Sequence, residues 1–251
     1  MRPPDATVET VKDFWQAHVN NEYYTKERRA SEAYFGQIEE RRYRYHYHLA
    51  ELFSRLRGSR GKLLEVGCGI GVDSIQLARC GFDVTAVDLT ENALAVAREF
   101  AAHRGADIDF RLGNAEGLEF ADESFDVVYS FGVLHHTPDI EKSVAEVRRV
   151  LKPGGTAHVM LYHRTSLVNL VHRVLRLPYE SPRNLKDHCP VVYTFTRRGV
   201  RELFAQFSDV SVRAEYPFTF GFGPLGTRTP LWSRRMLGRA IGWHLMITAV
   251  R

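Results

Sequence analysis

Short apolar runs alternate with amphipathic segments between residues 62 and 162, and this alternation limits the possible folds more than any other feature. The runs typical of strands are Lys62–Val66, Asp83–Val87, Ile108–Leu112, Phe125–Tyr129 and Thr156–Tyr162. The segments predicted to be helical are Val72–Cys80, Glu91–His103 and Asp139–Leu151. Such alternation is typical of a parallel sheet with right-handed crossovers and helices on both faces. We therefore predict a doubly wound α/β sheet.

The chain is predicted to have three parts. They are an N-terminal helical cap (1–60), a core (61–162), and a substrate-side insertion followed by the last strands of the same sheet (163–251). Within the core, Thr90 is the predicted N-cap of the helix Glu91–His103. The helix Asp139–Leu151 is predicted to end at Lys152–Gly155. The flanking segments are predicted as helices over Val8–Val19, Ala33–Arg57, Leu167–Leu177 and Arg197–Phe207, as strands over Val210–Ala214 and Trp243–Val250, and as a loop over Phe218–Gly226.

Composition narrows the class of protein. The chain has 251 residues, 44% hydrophobic and 25% charged, which argues against a disordered, collagenous or coiled-coil protein. Three cysteines, no signal-peptide pattern and no apolar run of about 20 residues predict a cytoplasmic protein without a membrane partner. Residues 61–162 carry a net −7 and residues 163–251 a net +9, which suggests ligands of opposite charge; a merely solubilising basic surface is the alternative.

A glycine-rich loop follows the first predicted strand, in the sequence Glu65-Val-Gly-Cys-Gly-Ile-Gly71. Glycines at a strand-to-helix turn let a ligand approach the backbone and the helix N-terminus. The dinucleotide pattern needs a further glycine where the chain has Val72 or Ser74, so a dinucleotide is disfavoured. Asp88 ends the second strand, where an acid can accept hydrogen bonds from both ribose hydroxyls. Together, the glycine-rich loop and Asp88 predict a site for a nucleoside.

These residues resemble the class I S-adenosylmethionine-dependent methyltransferases, in particular the bacterial branch that acts on small molecules. The loop resembles the first motif of that family and Val87–Leu89 the second, and three later segments follow in the family's order: Gly113–Glu116, Phe125–His136 and Leu151–Gly155. The resemblance implies a seven-stranded sheet with its last strand antiparallel and the N-terminal helices as a lid. It implies S-adenosylmethionine as cofactor, S-adenosylhomocysteine as product, and no metal.

The resemblance also implies the residues that hold the cofactor. They are Glu65, Gly67, Cys68, Gly69, Gly71, Asp88, Leu89, Asn114, Ala115, Glu116, Ser130 and Phe131. Asn114 departs from the aspartate usual in that family, but its amide oxygen can still accept from the adenine amino group. Cys68 is interpreted as a small filler rather than a nucleophile.

Two adjacent histidines, His135 and His136, follow the fourth strand and are the candidate catalytic bases. His135 is favoured, with Asp139 or His163 to orient it, although helix capping is the better interpretation of Asp139. The alternative is that the two histidines have a structural role, since the resembled family often has paired histidines here whatever its substrate. The candidate substrate residues are Tyr24, Tyr34, Tyr162, His163 and His188.

The sequence thus predicts methyl transfer to a small-molecule acceptor in biosynthesis, on oxygen by preference, with nitrogen or carbon left open. Peptide or nucleic-acid methylation and a non-catalytic cofactor-binding protein are the alternatives, and the chain has no module typical of nucleic-acid binding. An anionic acceptor is a further hypothesis, because guanidinium groups bind carboxylates and phosphates. The arginines that motivate it are Arg164, Arg173, Arg197 and Arg198. A monomer or a homodimer is expected.

Overall fold

The computed structural model describes residues 6–19, 25–179, 188–219, 222 and 228–251. Seven strands form one sheet: β1 (Lys62–Val66), β2 (Asp83–Asp88), β3 (Asp109–Leu112), β4 (Phe125–Phe131), β5 (Leu151–Tyr162), β6 (Asp209–Glu215) and β7 (His244–Val250). Their order is β3-β2-β1-β4-β5-β7-β6. The first five strands pair in parallel, and β7 runs antiparallel between β5 and β6. The predicted doubly wound sheet with an antiparallel last strand is confirmed.

Helices cover both faces of this sheet. They are α1 (Val8–Ala17), α2 (Glu32–Tyr45), α3 (Tyr47–Leu56), α4 (Val72–Cys80), α5 (Glu91–Arg104), α6 (Ile140–Val150), α7 (Leu167–Val174), α8 (Arg197–Leu203) and α9 (Leu231–Ile241). Because side chains alternate along a strand, neighbours in β1 pack on opposite faces. Leu64 packs in a core with residues of α6 and α8, whereas Leu63 packs with residues of α3 and α4.

The predicted single helix over Ala33–Arg57 is wrong, because the chain breaks at His46 between α2 and α3. The backbone of His46 leaves the helical region (φ −92°, ψ 57°), and its ring nitrogen Nδ1 lies 2.9 Å from the Arg42 carbonyl oxygen. The ring stacks on His244 of β7, with 5.5 Å between ring centroids. A side chain that bonds its own helix and packs on the sheet therefore turns the chain.

Two predicted helix boundaries can be compared with the structure. Helix α6 ends at Val150, just before Lys152–Gly155, as predicted, and these residues form an irregular start of β5 with a register shift opposite Phe125–Val127. Thr90 lies at the N-cap of α5, but its hydroxyl donates to Asp88 instead of accepting from the helix. Among the described residues, no helix is long and apolar enough to cross a membrane.

Candidate active site

A cleft of about 1040 Å³, its open mouth included, lies at the carboxyl ends of the parallel strands. Ligands of open α/β sheets bind at this edge. The cleft is lined by the loop after β1, the end of β2, the residues after β4 and the inner sides of α1 and α2. The predicted cofactor residues in its wall are Glu65, Gly67, Cys68, Gly69, Asp88, Leu89, Ala115 and Phe131.

Left-handed glycines shape the loop after β1. Gly67 (φ 76°) donates its amide to the Val87 carbonyl oxygen at 2.7 Å, which ties the loop to the end of β2. A Cβ atom on Gly67 would lie 2.2 Å from Val133 Cγ2, so nothing larger than glycine fits. A Cβ atom on Gly69 (φ 54°) would meet nothing within 4 Å, and this open side faces the cleft. Gly71 lies behind the wall, at the N-cap of α4.

Asp88 is held in place by the loop that it faces. One carboxylate oxygen accepts from the Gly69 amide at 2.8 Å, and the other accepts from the amide and hydroxyl of Thr90 at 3.0 and 2.8 Å. Burial raises the pKa of Asp88, and these hydrogen bonds oppose that rise. The carboxylate is half-buried in the cleft wall, which suits an acceptor for vicinal hydroxyls.

Arg42 of α2 and Asp73 of α4 form a buried ion pair in the cleft wall, which the sequence analysis missed. Arg42 Nε lies 3.1 Å from Asp73 Oδ1, a second guanidinium nitrogen bonds Oδ2, and the guanidinium lies 4.5 Å over the Phe131 ring. Burial opposes ionisation of Arg42, but the Asp73 carboxylate outweighs it and raises the guanidinium pKa. Glu65 lines the same cleft and bonds the Ser74 hydroxyl. Burial raises the pKa of Glu65 well above its usual range, and the negative charge of Asp73 adds a smaller rise.

The segment predicted to bind adenine is fixed mainly by its own hydrogen bonds. The Asn114 side-chain oxygen accepts from the Glu116 amide at 3.0 Å, and the Glu116 carboxylate accepts from the Asp139 amide at 2.7 Å. Ser130 is buried and donates to the Val66 carbonyl oxygen at 3.0 Å. Gly113 and Ala115 contribute to the cleft wall here, whereas Asn114, Glu116 and Ser130 do not. Cofactor contacts from this segment stay predictions.

The histidine pair divides between the cleft and the core. His136 lines the cleft, 5.4 Å from the Trp15 ring centroid, and its Nδ1 lies 2.8 Å from the Val191 carbonyl oxygen. Since a carbonyl only accepts, Nδ1 carries the proton and the basic lone pair is on Nε2. His135 has no exposed surface and lies under Tyr162, with 3.9 Å between ring centroids. Burial lowers the pKa of His135 well below its usual range. The geometry therefore favours His136 over His135.

None of the four predicted substrate residues that the structure describes lines the cleft. Tyr34 is buried against Phe35, and Tyr162 lies between His135 and Trp243. His163 Nδ1 lies 2.8 Å from the Gly242 carbonyl oxygen, which connects the end of β5 to the start of β7. The remaining two are His188, which is exposed, and Tyr24, which lies outside the described residues. Substrate contacts from all five stay predictions.

None of the four arginines behind the anionic-acceptor hypothesis lines the cleft. Arg164 donates to the Thr194 carbonyl oxygen, Arg197 to the Arg239 carbonyl oxygen, and Arg198 pairs with Glu202 on the surface. Arg173 is exposed on α7. The capping interpretation of Asp139 is confirmed, because its carboxylate accepts from the Lys142 amide at the start of α6. Within the described ranges, no three His, Cys, Asp or Glu side chains converge on a metal site.

Comparisons with known proteins agree with this geometry. Residues 64–159 match the family model described as a methyltransferase domain. A ubiquinone biosynthesis O-methyltransferase of Sinorhizobium fredii is 38% identical over 110 residues, covering 44% of each chain. The methyltransferase GfsG of Streptomyces halstedii is 38% identical over 109 residues, covering 42% of this chain and 39% of that protein. The chain thus spans less than half the length of these two relatives.

A solved structure shows the same fold over most of the chain. It is an S-adenosylmethionine-dependent methyltransferase of Thermotoga maritima, described as a possible histamine N-methyltransferase. Its TM-score is 0.66 at 19% identity, and the match covers 96% of this chain and 99% of the other. Residues 64–159 therefore match a methyltransferase domain, and most of the chain has the class I methyltransferase fold that the motifs predicted.

Proposed function

We propose that this chain transfers a methyl group from S-adenosylmethionine to a hydroxyl oxygen of a small, largely apolar acceptor, with His136 as the base. The observation that carries the proposal is the His136 imidazole in the cleft wall, with its lone pair on Nε2 and its Nδ1 proton on the Val191 carbonyl. A hydroxyl is a weak nucleophile, so a base that removes its proton accelerates attack. The relatives named O-methyltransferases support oxygen as the acceptor atom.

The residues in the cleft fit the cofactor that the family implies. Asp88 would accept from the ribose hydroxyls, and the open side of Gly69 leaves room beside them. Arg42 would bind the methionine carboxylate, and Asp73 and Glu65 offer acceptors for its ammonium group. When bound, S-adenosylmethionine supplies an electrophilic methyl group on a sulfonium. The task of the chain is to hold the reacting atoms in line and exclude water.

The acceptor side of the cleft favours an uncharged molecule. Helix α1 supplies Val11 and Trp15 to the wall, and Trp15 lies against His136. Among the described residues that line the cleft, Arg42 is the only arginine or lysine, and Asp73 pairs with it. An apolar ring or chain that carries one hydroxyl therefore suits this wall better than an anion. The helices α1 and α2 would then act as the lid of the site.

The test measures labelled methyl transfer from S-adenosylmethionine to a panel of phenols, alcohols and amines of similar size. We expect label in hydroxyl compounds, and a fall in kcat of about 10²-fold or more in His136→Asn with unchanged affinity for S-adenosylhomocysteine. His135→Asn tests the other candidate base, and His172→Asn on α7 is the matched control. Label confined to amines, or full kcat in His136→Asn, would contradict the proposal.

A further inference from the structure

Large apolar side chains lie exposed on two helices at one side of the molecule. Of nine such residues that are exposed in the described parts of the chain, eight lie in α7 with its continuation to residue 177 or in α9. Val174 is 69% exposed and Trp232 is 67% exposed. The eight residues, which together we call the α7–α9 surface, are Leu170, Val174, Leu175, Leu177, Leu231, Trp232, Met236 and Leu237. Apolar exposure of this extent is uncommon on a monomer and marks an interaction site.

Each helix presents its apolar residues on the side that faces away from the core. In α7 Leu170 and Val174 are four residues apart and share a face, whereas Val168 and Asn169 are buried. In α9 Trp232 and Met236 are likewise four residues apart. The buried side of α9 is marked by Gly238, where a Cβ atom would lie 3.2 Å from Tyr47 Oη. The exposed residues are therefore not the packing face of either helix.

Arginines are frequent on these two helices, and neither helix contains an acid. The described acids near α9 are Glu51 and Glu215, which interact with Arg235 and Arg239. Residues 163–179 and 228–243 contain seven arginines and no aspartate or glutamate. Of these, Arg173 and Arg176 at α7 and Arg235 and Arg239 at α9 are exposed. The excess charge of the C-terminal third is thus concentrated on the same two helices. This surface complements an anionic partner that also accepts apolar side chains.

Both helices lie at the edge of the sheet where the cleft opens. Strand β5 ends at Tyr162, which pairs with His244 at the start of β7, so α7 leaves and α9 returns at this edge. Trp243 stacks on Tyr162 with 4.3 Å between ring centroids, and Tyr162 lies 5.7 Å from the cleft residue His136. Helices α7 and α9 therefore adjoin the sheet edge at which the cleft lies.

We propose that the α7–α9 surface binds the anionic face of a lipid bilayer. The arginines would contact lipid phosphates, and Trp232, Met236 and Leu170 would enter the boundary between headgroups and acyl chains. A nucleic acid would match the arginines but would leave the leucines and valines in water. A second copy of the chain would bring two basic surfaces together. The expectation of no membrane partner came from the absence of a spanning run, which does not bear on binding at the bilayer surface.

Flotation with lipid vesicles tests this proposal on the whole chain. One set of vesicles contains phosphatidylcholine alone, and the other contains one part phosphatidylglycerol to two parts phosphatidylcholine. We expect binding to the anionic vesicles that weakens as salt rises, and about fivefold weaker binding in Arg235→Ser. The double variant Trp232→Ser with Met236→Ser should lose about tenfold or more, because both apolar anchors are removed.

The matched control is Leu112→Ser, which removes an exposed leucine from β3, the strand at the opposite end of the sheet. It should bind the vesicles as the unaltered chain does, and calorimetry with S-adenosylhomocysteine should show that every variant keeps its cofactor site. Equal binding to neutral and anionic vesicles, or variants that bind like the control, would overturn the proposal. So would displacement of the vesicles by RNA, or a dimer in analytical ultracentrifugation that the double variant abolishes. None of these outcomes depends on which acceptor is methylated.

Discussion

At the scale of single residues, the cleft places its charged groups on either side of β1. Asp88 ends β2, on one side of β1, while Arg42 lies over Phe131 of β4, on the other side. A zwitterionic amino-acid group linked to a nucleoside has its hydroxyls and its charges at opposite ends. Asp88 suits the hydroxyls, and the Arg42–Asp73 pair suits the carboxylate and ammonium. This division predicts which part of the cofactor each residue recognises.

Replacement of Arg42 by methionine should weaken binding of S-adenosylhomocysteine and leave 5′-methylthioadenosine, which lacks the amino-acid carboxylate, nearly unaffected. A lost hydrogen bond to a charged group costs about 1.5–3 kcal/mol, which corresponds to roughly tenfold to hundredfold in affinity. Calorimetric titration of both ligands into each variant measures the difference. Methionine fills a similar volume, so Phe131 keeps a partner above its ring.

Arg44→Met is the control, since Arg44 lies two residues further along α2 with its side chain 61% exposed. If Arg42 served only to hold α2 against α4, its replacement would weaken both ligands by the same factor. An equal loss for both would therefore contradict the assigned role of Arg42 in cofactor binding.

At the scale of elements, two glycines of the β1–α4 loop should respond oppositely to substitution. Gly67→Ala should lower stability by several kcal/mol or prevent folding, since its Cβ would overlap Val133 at a left-handed backbone position. Gly69→Ala should cost only about 1 kcal/mol for its left-handed conformation, because nothing lies within 4 Å. Gly69→Val should then weaken cofactor binding far more than stability. Thermal unfolding and calorimetry of the three variants separate these effects, and a Gly69→Val protein with unchanged cofactor affinity would contradict this placement of the cofactor.

The sequence predicted the bounds of a helix or strand correctly where its apolar residues are buried in the core. Strand β1 and helix α4 have the predicted bounds, because all of their leucine, isoleucine and valine side chains are buried, although Glu65, Asp73 and Ser74 are buried as well. Helix α9 was missed for the opposite reason: among its residues only Gly238 is buried, so no apolar stripe faces the core. The break at His46 was missed because a side chain, rather than a proline or glycine, turns the chain.

The candidate site was predictable to the extent that it follows the strand ends. The glycine loop, Asp88 and His136 are adjacent in sequence to strands, so their meeting at one sheet edge follows from a parallel sheet. Arg42 and Trp15 come from helices near the N-terminus, and the sequence does not show which helix faces lie over the cleft. The choice between His135 and His136 depends on how the turn after β4 points each ring, and this also requires the structure.

At the scale of the whole molecule, burial of several histidines in neutral form makes stability depend on pH. Burial lowers the pKa of His46 to about 3 and of His158 to about 4, and it lowers those of His48, His135 and His244 well below the usual range. Because the unfolded chain keeps pKa values near 6.5 for these groups, it binds more protons than the folded chain as the pH falls. Their contribution to stability is complete above about pH 6.5 and decreases below it.

Replacement of His158 by glutamine should therefore reduce the loss in free energy of unfolding that occurs as the pH falls. For a folded pKa of about 4 and an unfolded pKa of 6.5, the linkage amounts to about 2 kcal/mol at pH 5 and almost nothing at pH 7.5. The carboxyl groups whose pKa is raised, such as Glu65 and Glu215, act in the opposite direction, but they do so in both proteins and cancel in the difference. Urea unfolding at the two pH values measures that difference, with His188→Gln, at an exposed position, as the control. A His158→Gln protein that loses as much stability between pH 7.5 and pH 5 as the unaltered chain would show that the partly buried His158 does not stay neutral in the folded protein at pH 5.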